Sequence, residues 1–519
     1  MIDLEPQRIA LQTALDAAKK PADRNKLGQF ATPTALAREL MAHALSLMPP
    51  NEPIRFLDPA IGTGSFFSAL QQLSSPDRLE SATGFEIDPH YGEPAQTLWQ
   101  KTILRLGIAD FTRCTPDTAG VNLLVSNPPY VRHHHLDAHS KARLHTLSER
   151  AAGMNLSGLA GLYTYFMALA HGWMAPGALA CWLIPSEFMD VNYGSEVKRY
   201  LLERVTLLRI HRFDPADAQF DDALVSSAVV WFQNTPPPDH HRVNFTYGGS
   251  HSAPHQAREI TAHTLQKTTK WTRFPAHEAV ERDHRVTRLK DLFDIRRGIA
   301  TGSNAFFILS PEQASALDLP ASQLTPILPS PRYLSNDVIE ADAAGMPQID
   351  RPLYLLDCRL PEHMVRDRYP ALWNYLESGR EDMMKRYICA HRPLWYVQEN
   401  RPAAPFLCTY MGRTDGADAK PFRFILNRSN AVVANSYLNL YPKPMLARKL
   451  EREPQLKETI WRALNQLQPA SMVAEGRVYG GGLHKMEPKE LAEVPVPNLA
   501  DLLHLEETPL SLFDALELA

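Results

Sequence analysis

The stretch Ile54–Leu73 constrains the fold more than any other part of the chain. Ile54–Asp58 reads as a short strand, ends in Asp58-Pro59-Ala60-Ile61-Gly62-Thr63-Gly64, and is followed by a helical pattern over Ser65–Leu73. A strand that turns through glycines directly into a helix opens a βα unit, and repeated units of that kind build a mostly parallel sheet. The series continues with strands predicted at Ala82–Ile87, Val121–Ser126, Leu179–Ile184 and Ser227–Phe232. A last one is predicted at Val243–Tyr247, after the Pro236-Pro237-Pro238-Asp239 turn. A chain of 519 residues is long for one core, so a second domain is expected. Residues 1–249 are assigned to the α/β domain. Residues 250–284, in Ser, His, Thr and Pro without clear periodicity, are assigned to a connecting region. Residues 285–519, rich in proline, aromatics and arginine, are assigned to an irregular α+β domain.

Bulk properties exclude more than they suggest. A formal net charge of -4 carries no nucleic-acid signature, so any basic face must arise by clustering on the fold. The five cysteines (Cys114, Cys181, Cys358, Cys389, Cys408) are odd in number and form no CxxC pair, which argues against a disulfide framework or a zinc site and fits a reducing cytoplasm. The Met1-Ile2-Asp3-Leu4-Glu5 start lacks the regions of a signal peptide. Leu159–Ile184 is apolar, but His171 and Pro176-Gly177 divide it into a helix-length piece and a strand-length piece, so no membrane partner is expected.

Four elements carry chemistry. The Asp58–Gly64 loop, with Pro59, Gly62 and Gly64, lets a nucleoside-bearing ligand approach the backbone. Its spacing departs from both GxGxxG and GxxxxGK[ST], and no lysine follows to meet a phosphate. Glu86, with Ile87 beside it, ends the next strand, where a carboxylate can accept from both hydroxyls of a ribose. Asp110-Phe111 offers a carboxylate for an adenine amino group and a ring to lie against it. Asn127-Pro128-Pro129-Tyr130 then follows a buried strand directly. The prolines stiffen the loop, so the carbonyls of Asn127 and Pro128 and the Asn127 amide oxygen can face an incoming amino group, while Tyr130 gives a planar base a flat surface. Two such acceptors can draw density onto an amino nitrogen as it attacks a sulfonium methyl, with the proton lost afterwards.

Together these motifs resemble the gamma-class DNA adenine-N6 methyltransferases of restriction–modification systems. The resemblance runs over residues 24–247 and begins with Gly28-Gln29-Phe30-Ala31-Thr32-Pro33. It implies a Rossmann-like fold binding S-adenosyl-L-methionine, with Thr32 and Pro33 closing over the cofactor, Asp58–Gly64 as its glycine loop, Glu86 on its ribose and Asp110-Phe111 on its adenine. Phe166, in Gly161–Phe166, falls where the family has a ring near the cofactor, and Phe220 where it has a second aromatic against a flipped base. The implied partners are double-stranded DNA and, as a candidate, a separately encoded restriction endonuclease.

The second-domain resemblance is looser. Leu292–Gly302, with Arg296 and Arg297, is similar to the opening of the family's target-recognition domain. Val478–Lys485 and Val494-Pro495-Val496-Pro497 are similar to its close, which makes Arg296, Arg297 and Lys485 candidate phosphate contacts. His133-His134-His135 is read as a polar loop, because consecutive extended residues face opposite ways and do not converge on a metal. Protein-glutamine and ribosomal-RNA guanine methyltransferases share the tetrapeptide and stay open as alternatives, as does cytosine N4 as the acceptor.

Overall fold

The computed structural model describes residues 3–116, 120–214, 226–275, 286–413, 420–479, 483–497 and 499. It divides into a first unit, Met1–Glu281, and a second that begins at Arg282.

The first unit opens with three helices, α1 (Glu5–Ala18), α2 (Pro21–Leu27) and α3 (Thr34–Leu47). Strand β1 (Ile54–Asp58), helix α4 (Ser65–Leu73), β2 (Leu79–Glu86), α5 (Pro89–Trp99), β3 (Leu104–Ile108) and β4 (Val121–Ser126) follow. Next come α6 (Ala138–Ala152), α7 (Leu162–Ala170), β5 (Met174–Pro185), α8 (Gly194–Glu203), β6 (Thr206–Arg212), β7 (Ser227–Gln233), β8 (Arg242–Gly249) and β9 (Pro254–Thr261). Among the described residues these strands form one sheet in the order β3-β2-β1-β4-β5-β7-β6-β8-β9. Pairing is parallel from β3 through β5, whereas β7 runs antiparallel to β5 and β6, and β9 antiparallel to β8.

The strands are apolar because both faces are covered. Phe56, Val125, Leu183 and Trp231 enter one core beneath α3 and α4, while their neighbours Leu57, Leu124, Trp182 and Val230 enter the other, against α7 and α8. The chain leaves β1 toward β2 and β3, then returns to β4 on the other side of β1. That reversal opens a crevice at the carboxyl ends of β1 and β4, the usual ligand position of such sheets.

Three expectations need correction. Residues 250–284 are not merely a connection: β9 lies within them and pairs with β8 from Arg242↔Thr261 to Gly249↔Pro254, so the sheet extends past Gly249. Its polar sequence is that of an edge strand, which shows no apolar alternation. β3 and β6 were not anticipated, because charged residues interrupt their apolar runs. His133–His135 forms a 3-10 turn instead of an extended segment.

The second unit is α+β. Its five-stranded sheet runs Phe293–Arg297, Tyr437–Pro442, Phe406–Thr409, Phe424–Asn427, Val338–Ile339, and smaller sheets of four and three strands accompany it. Helices Pro370–Met384, Pro444–Arg452 and Leu456–Asn465 cover its cores. No helix among the described residues is long and apolar enough to cross a membrane.

Candidate active site

Four of the first-unit strands deliver their final residues to one edge of the sheet. Asp58 ends β1 and is 1% exposed, its Oδ1 accepting from the Ser126 hydroxyl on β4 at 2.8 Å and from the Ala60 N–H at 3.1 Å. Burial pushes its pKa up to about 7, and the nearby Glu86 charge adds to the rise. Gly62 adopts φ 54°, a conformation that favours glycine, and a Cβ there would meet nothing within 4 Å, so the loop presents open backbone. Gly64 is held differently: a Cβ would lie 2.7 Å from the Trp99 indole nitrogen, which donates to the Thr63 carbonyl at 2.9 Å.

Glu86 faces this loop from the end of β2. Its carboxylate accepts from the Gly62 N–H at 3.2 Å and the Asp88 N–H at 2.8 Å, while burial raises its pKa. Ile87, beside it, is 64% exposed, an aliphatic surface available to a ligand. Asp110, after β3, accepts from the Thr112 N–H and hydroxyl and pairs with Arg113 at 3.2 Å. Phe111 is only 2% exposed and packs in an aromatic cluster with Phe85, Phe166 and Trp173, so it lies in the core beneath the site instead of standing free.

The tetrapeptide leaves β4 and meets the N-terminal segment. Asn127 Nδ2 donates to the Phe30 carbonyl at 2.9 Å and to the Thr32 hydroxyl at 3.2 Å. Its amide protons are thereby engaged, and among the described residues its Oδ1 receives no hydrogen bond, so the acceptor end of the side chain is the one left for a ligand. Pro128 is buried, whereas Pro129 and Tyr130 are half-buried. The Tyr130 hydroxyl donates to the Leu183 carbonyl on β5 at 3.0 Å, and its ring lies 5.7 Å from Phe30. The Tyr130 N–H reaches the Gly28 carbonyl at 3.2 Å, and a Cβ on Gly28 (φ 65°) would stand 2.4 Å from the Tyr130 nitrogen. Only glycine permits that approach.

Helix α1, which sequence reasoning passed over, stitches these loops together. Arg8, 2% exposed and paired with Glu5 at 2.6 Å, donates to Thr34 Oγ1 at 2.9 Å, Thr63 Oγ1 at 3.3 Å and Ser65 Oγ at 3.0 Å. Lys19 bonds Gln29 Oε1 at 2.7 Å and Asp88 at 2.5 Å.

Residues 86–220 match the family described as Eco57I restriction-modification methylase, and residues 263–515 match the Type II methyltransferase M.Eco57I C-terminal domain. The chain belongs to the restriction–modification methyltransferases. Type II methyltransferase M.XamI of Xanthomonas campestris pv. amaranthicola is 28% identical over 493 residues, spanning 92% of this chain and 86% of that protein. Type II methyltransferase M.AccI of Acinetobacter calcoaceticus is 24% identical over 488 residues, spanning 90% and 85%. Among solved structures, the Type IIL restriction-modification enzyme MmeI in complex with DNA superposes with a TM-score of 0.56 at 12% identity. That likeness of fold covers 85% of this chain and 66% of the other.

In this methyltransferase Thr32, Pro33, Asp58, Pro59, Gly62, Gly64, Glu86, Ile87 and Asn127–Tyr130 all lie on the loops at one sheet edge or on the N-terminal segment bonded to them. Phe220 lies outside the described residues. In the second unit, Arg297 stacks over the Tyr410 ring at 3.9 Å and Lys485 lies 5.2 Å from the same ring. Two of the three expected phosphate-binding cations therefore share one aromatic, although Lys485 also pairs with Glu487 at 2.8 Å. Arg296 is exposed, and as Arg297's neighbour on the strand it points to the opposite face. Tyr410 was not anticipated: it is far from both cations in sequence.

Proposed function

We propose that the chain transfers a methyl group from S-adenosyl-L-methionine to the N6 amino group of an adenine in double-stranded DNA. The observation that carries this reading is the Asn127 side chain, whose donors are engaged by Phe30 and Thr32 and whose acceptor is left beside Tyr130. The open Gly62 backbone, the exposed Ile87 and the Glu86 and Asp58 carboxyls suit a cationic nucleoside. Glu86 would hold the ribose, Asp110 the adenine amino group, and Thr32 and Pro33 would cover the ligand. When bound, that cofactor supplies an electrophilic methyl.

The residues of the chain orient the acceptor. Asn127 Oδ1 and the Pro128 carbonyl accept from the amino group and raise the electron density on its nitrogen, while Tyr130 and Phe220 receive the base. A stacked base cannot reach the site, so the adenine leaves the duplex at a cost of about a few kcal/mol. Stacking on aromatic rings returns about 1–3 kcal/mol. The second unit reads the target sequence, with Arg296, Arg297 and Lys485 toward phosphates. The order of motifs supports the gamma class, and Asn at the first tetrapeptide position favours adenine over cytosine N4. A separately encoded endonuclease would cut the unmethylated site.

Single-turnover transfer of labelled methyl to DNA tests the mechanism. Asn127→Ala should lower the rate about 10²–10³-fold, as loss of one oriented polar group in an active site does. Calorimetric cofactor affinity should stay close to wild type. A near-normal rate would contradict the assignment.

A further inference from the structure

Several charged side chains of the second unit are neutralised in pairs, as in Arg380–Glu362, Arg428–Glu340 and Arg423–Asp337. At one place two guanidiniums instead share a single ring. The Arg332 guanidinium lies 4.6 Å from the Tyr333 ring centroid, and that of Arg351 lies 4.7 Å from the same centroid. Both arginines are exposed, Tyr333 is 45% exposed, and among the described residues neither guanidinium has an ion-pair or hydrogen-bond partner. Asp350, next to Arg351 in the chain, forms no ion pair with it. Two like charges are thus gathered on one ring with no counter-charge among the described residues. Cation–π attraction at exposed sites holds each guanidinium to the ring by about 0.5–1 kcal/mol.

The ring is also firmly mounted. Tyr333 sits on a 3-10 turn, Pro331–Tyr333, whose N–H bonds the Ser330 carbonyl at 2.8 Å. Arg423, held by Asp337 at 2.6 Å, donates to the carbonyls of Pro331 and Leu334, each at 3.1 Å, and so clamps both ends of the turn. A rigid turn presenting an exposed aromatic between two uncompensated guanidiniums is suited to an oxyanion that can accept from both. A phosphate does so with paired, charge-assisted hydrogen bonds.

We infer that Arg332, Tyr333 and Arg351 bind the phosphodiester backbone of duplex DNA, in addition to Arg296, Arg297 and Lys485. The inference rests on the functional reading above, in that it takes DNA as the polyanion. Backbone binding of this kind positions the duplex and adds affinity without reading sequence.

The test is the salt dependence of binding to a fluorescein-labelled duplex of arbitrary sequence, measured by anisotropy with the full chain. The Arg332→Ala/Arg351→Ala double variant should bind several-fold more weakly. Its plot of log affinity against log salt should be shallower by about 0.9 for each phosphate that the variant no longer neutralises. Arg332→Lys/Arg351→Lys should restore most of the slope, and the thermal melt of the full chain should be unchanged in both double variants, which excludes misfolding of the second unit. A double variant with the wild-type slope overturns the inference. Wild-type protein that binds no duplex would instead overturn the functional reading itself.

Discussion

Asp58 sits where the fold leaves a carboxyl undecided between two charge states near neutrality. Burial raises its pKa to about 7, the Glu86 charge adds to the rise, and the Ser126 hydroxyl and Ala60 N–H offset only part of it. A raised acid holds its proton more firmly in the folded chain than in the unfolded one. Its contribution to stability is therefore complete below the ordinary carboxyl value of 3.8 and is lost as pH rises through about 7. A ligand that brings positive charge near Asp58 and Glu86 draws that proton off. S-adenosylmethionine binding should then release protons and tighten as pH rises across about 6 to 8, read from calorimetric enthalpies in buffers of different ionisation heat. Asp58→Asn should flatten both effects. Proton release that survives in Asp58→Asn would assign it to another group, Glu86 first.

Helix α1 ties the loops at the sheet edge together, and that gives a prediction at the scale of elements. Arg8 touches the N-terminal segment at Thr34, the glycine loop at Thr63 and the start of α4 at Ser65. Lysine keeps a charge for Glu5 but lacks the planar fork that serves several oxygens at once. Arg8→Lys should weaken cofactor binding about tenfold, the scale of one charge-assisted hydrogen bond. Arg8→Ala should also lower the melting temperature, because it leaves the buried Glu5 carboxylate without its ion-pair partner. Calorimetry and thermal melts separate the two effects, and wild-type affinity in Arg8→Lys would remove α1 from the account. This element was the least legible in the sequence. β1 and β4 could be read because both faces of the sheet are covered and glycine or proline follows each strand. The positions of Asn127–Tyr130 and Glu86 at the sheet edge were legible because each directly follows or ends a strand. The partners of Arg8 and Lys19 lie far along the chain and are polar, so they leave no periodic trace. For the same reason β9, an edge strand, passed for a connection, and Tyr410 was invisible as the meeting point of Arg297 and Lys485.

At the scale of the whole chain, stability and boundaries turn on three histidines of the first unit, two buried and His43 half-buried. His43 on α3, His211 on β6 and His251 after β8 stack edge to face, and the Trp231 indole donates to His251 Nε2 at 2.9 Å. Burial and the Arg209 charge lower all three, His211 to about 4 and His251 to about 2, while Glu39 pulls His43 and His211 the other way. They fold neutral, so their contribution is complete above the ordinary value of 6.5 and is lost as pH falls toward those values. Each can add up to about 1.4 kcal/mol per pH unit. Urea midpoints should drop between about pH 7 and pH 5, against the direction of Asp58, and a flat midpoint would contradict the burial. A fragment ending at Gly249 loses His251 and β9, strands the Trp231 N–H and should fail to fold, whereas one ending at Glu281 should fold and bind cofactor. A soluble, cofactor-binding fragment ending at Gly249 would put the boundary back where the sequence alone suggested it. The central claim concerns what the intact chain does to DNA, and mass spectrometry of nucleosides from duplex DNA treated with the protein and isotope-labelled S-adenosylmethionine tests it most directly. The account predicts labelled N6-methyladenine, formed about 10²–10³-fold more slowly by Asn127→Ala. Labelled N4-methylcytosine, or no labelled nucleoside from DNA at all, would contradict it.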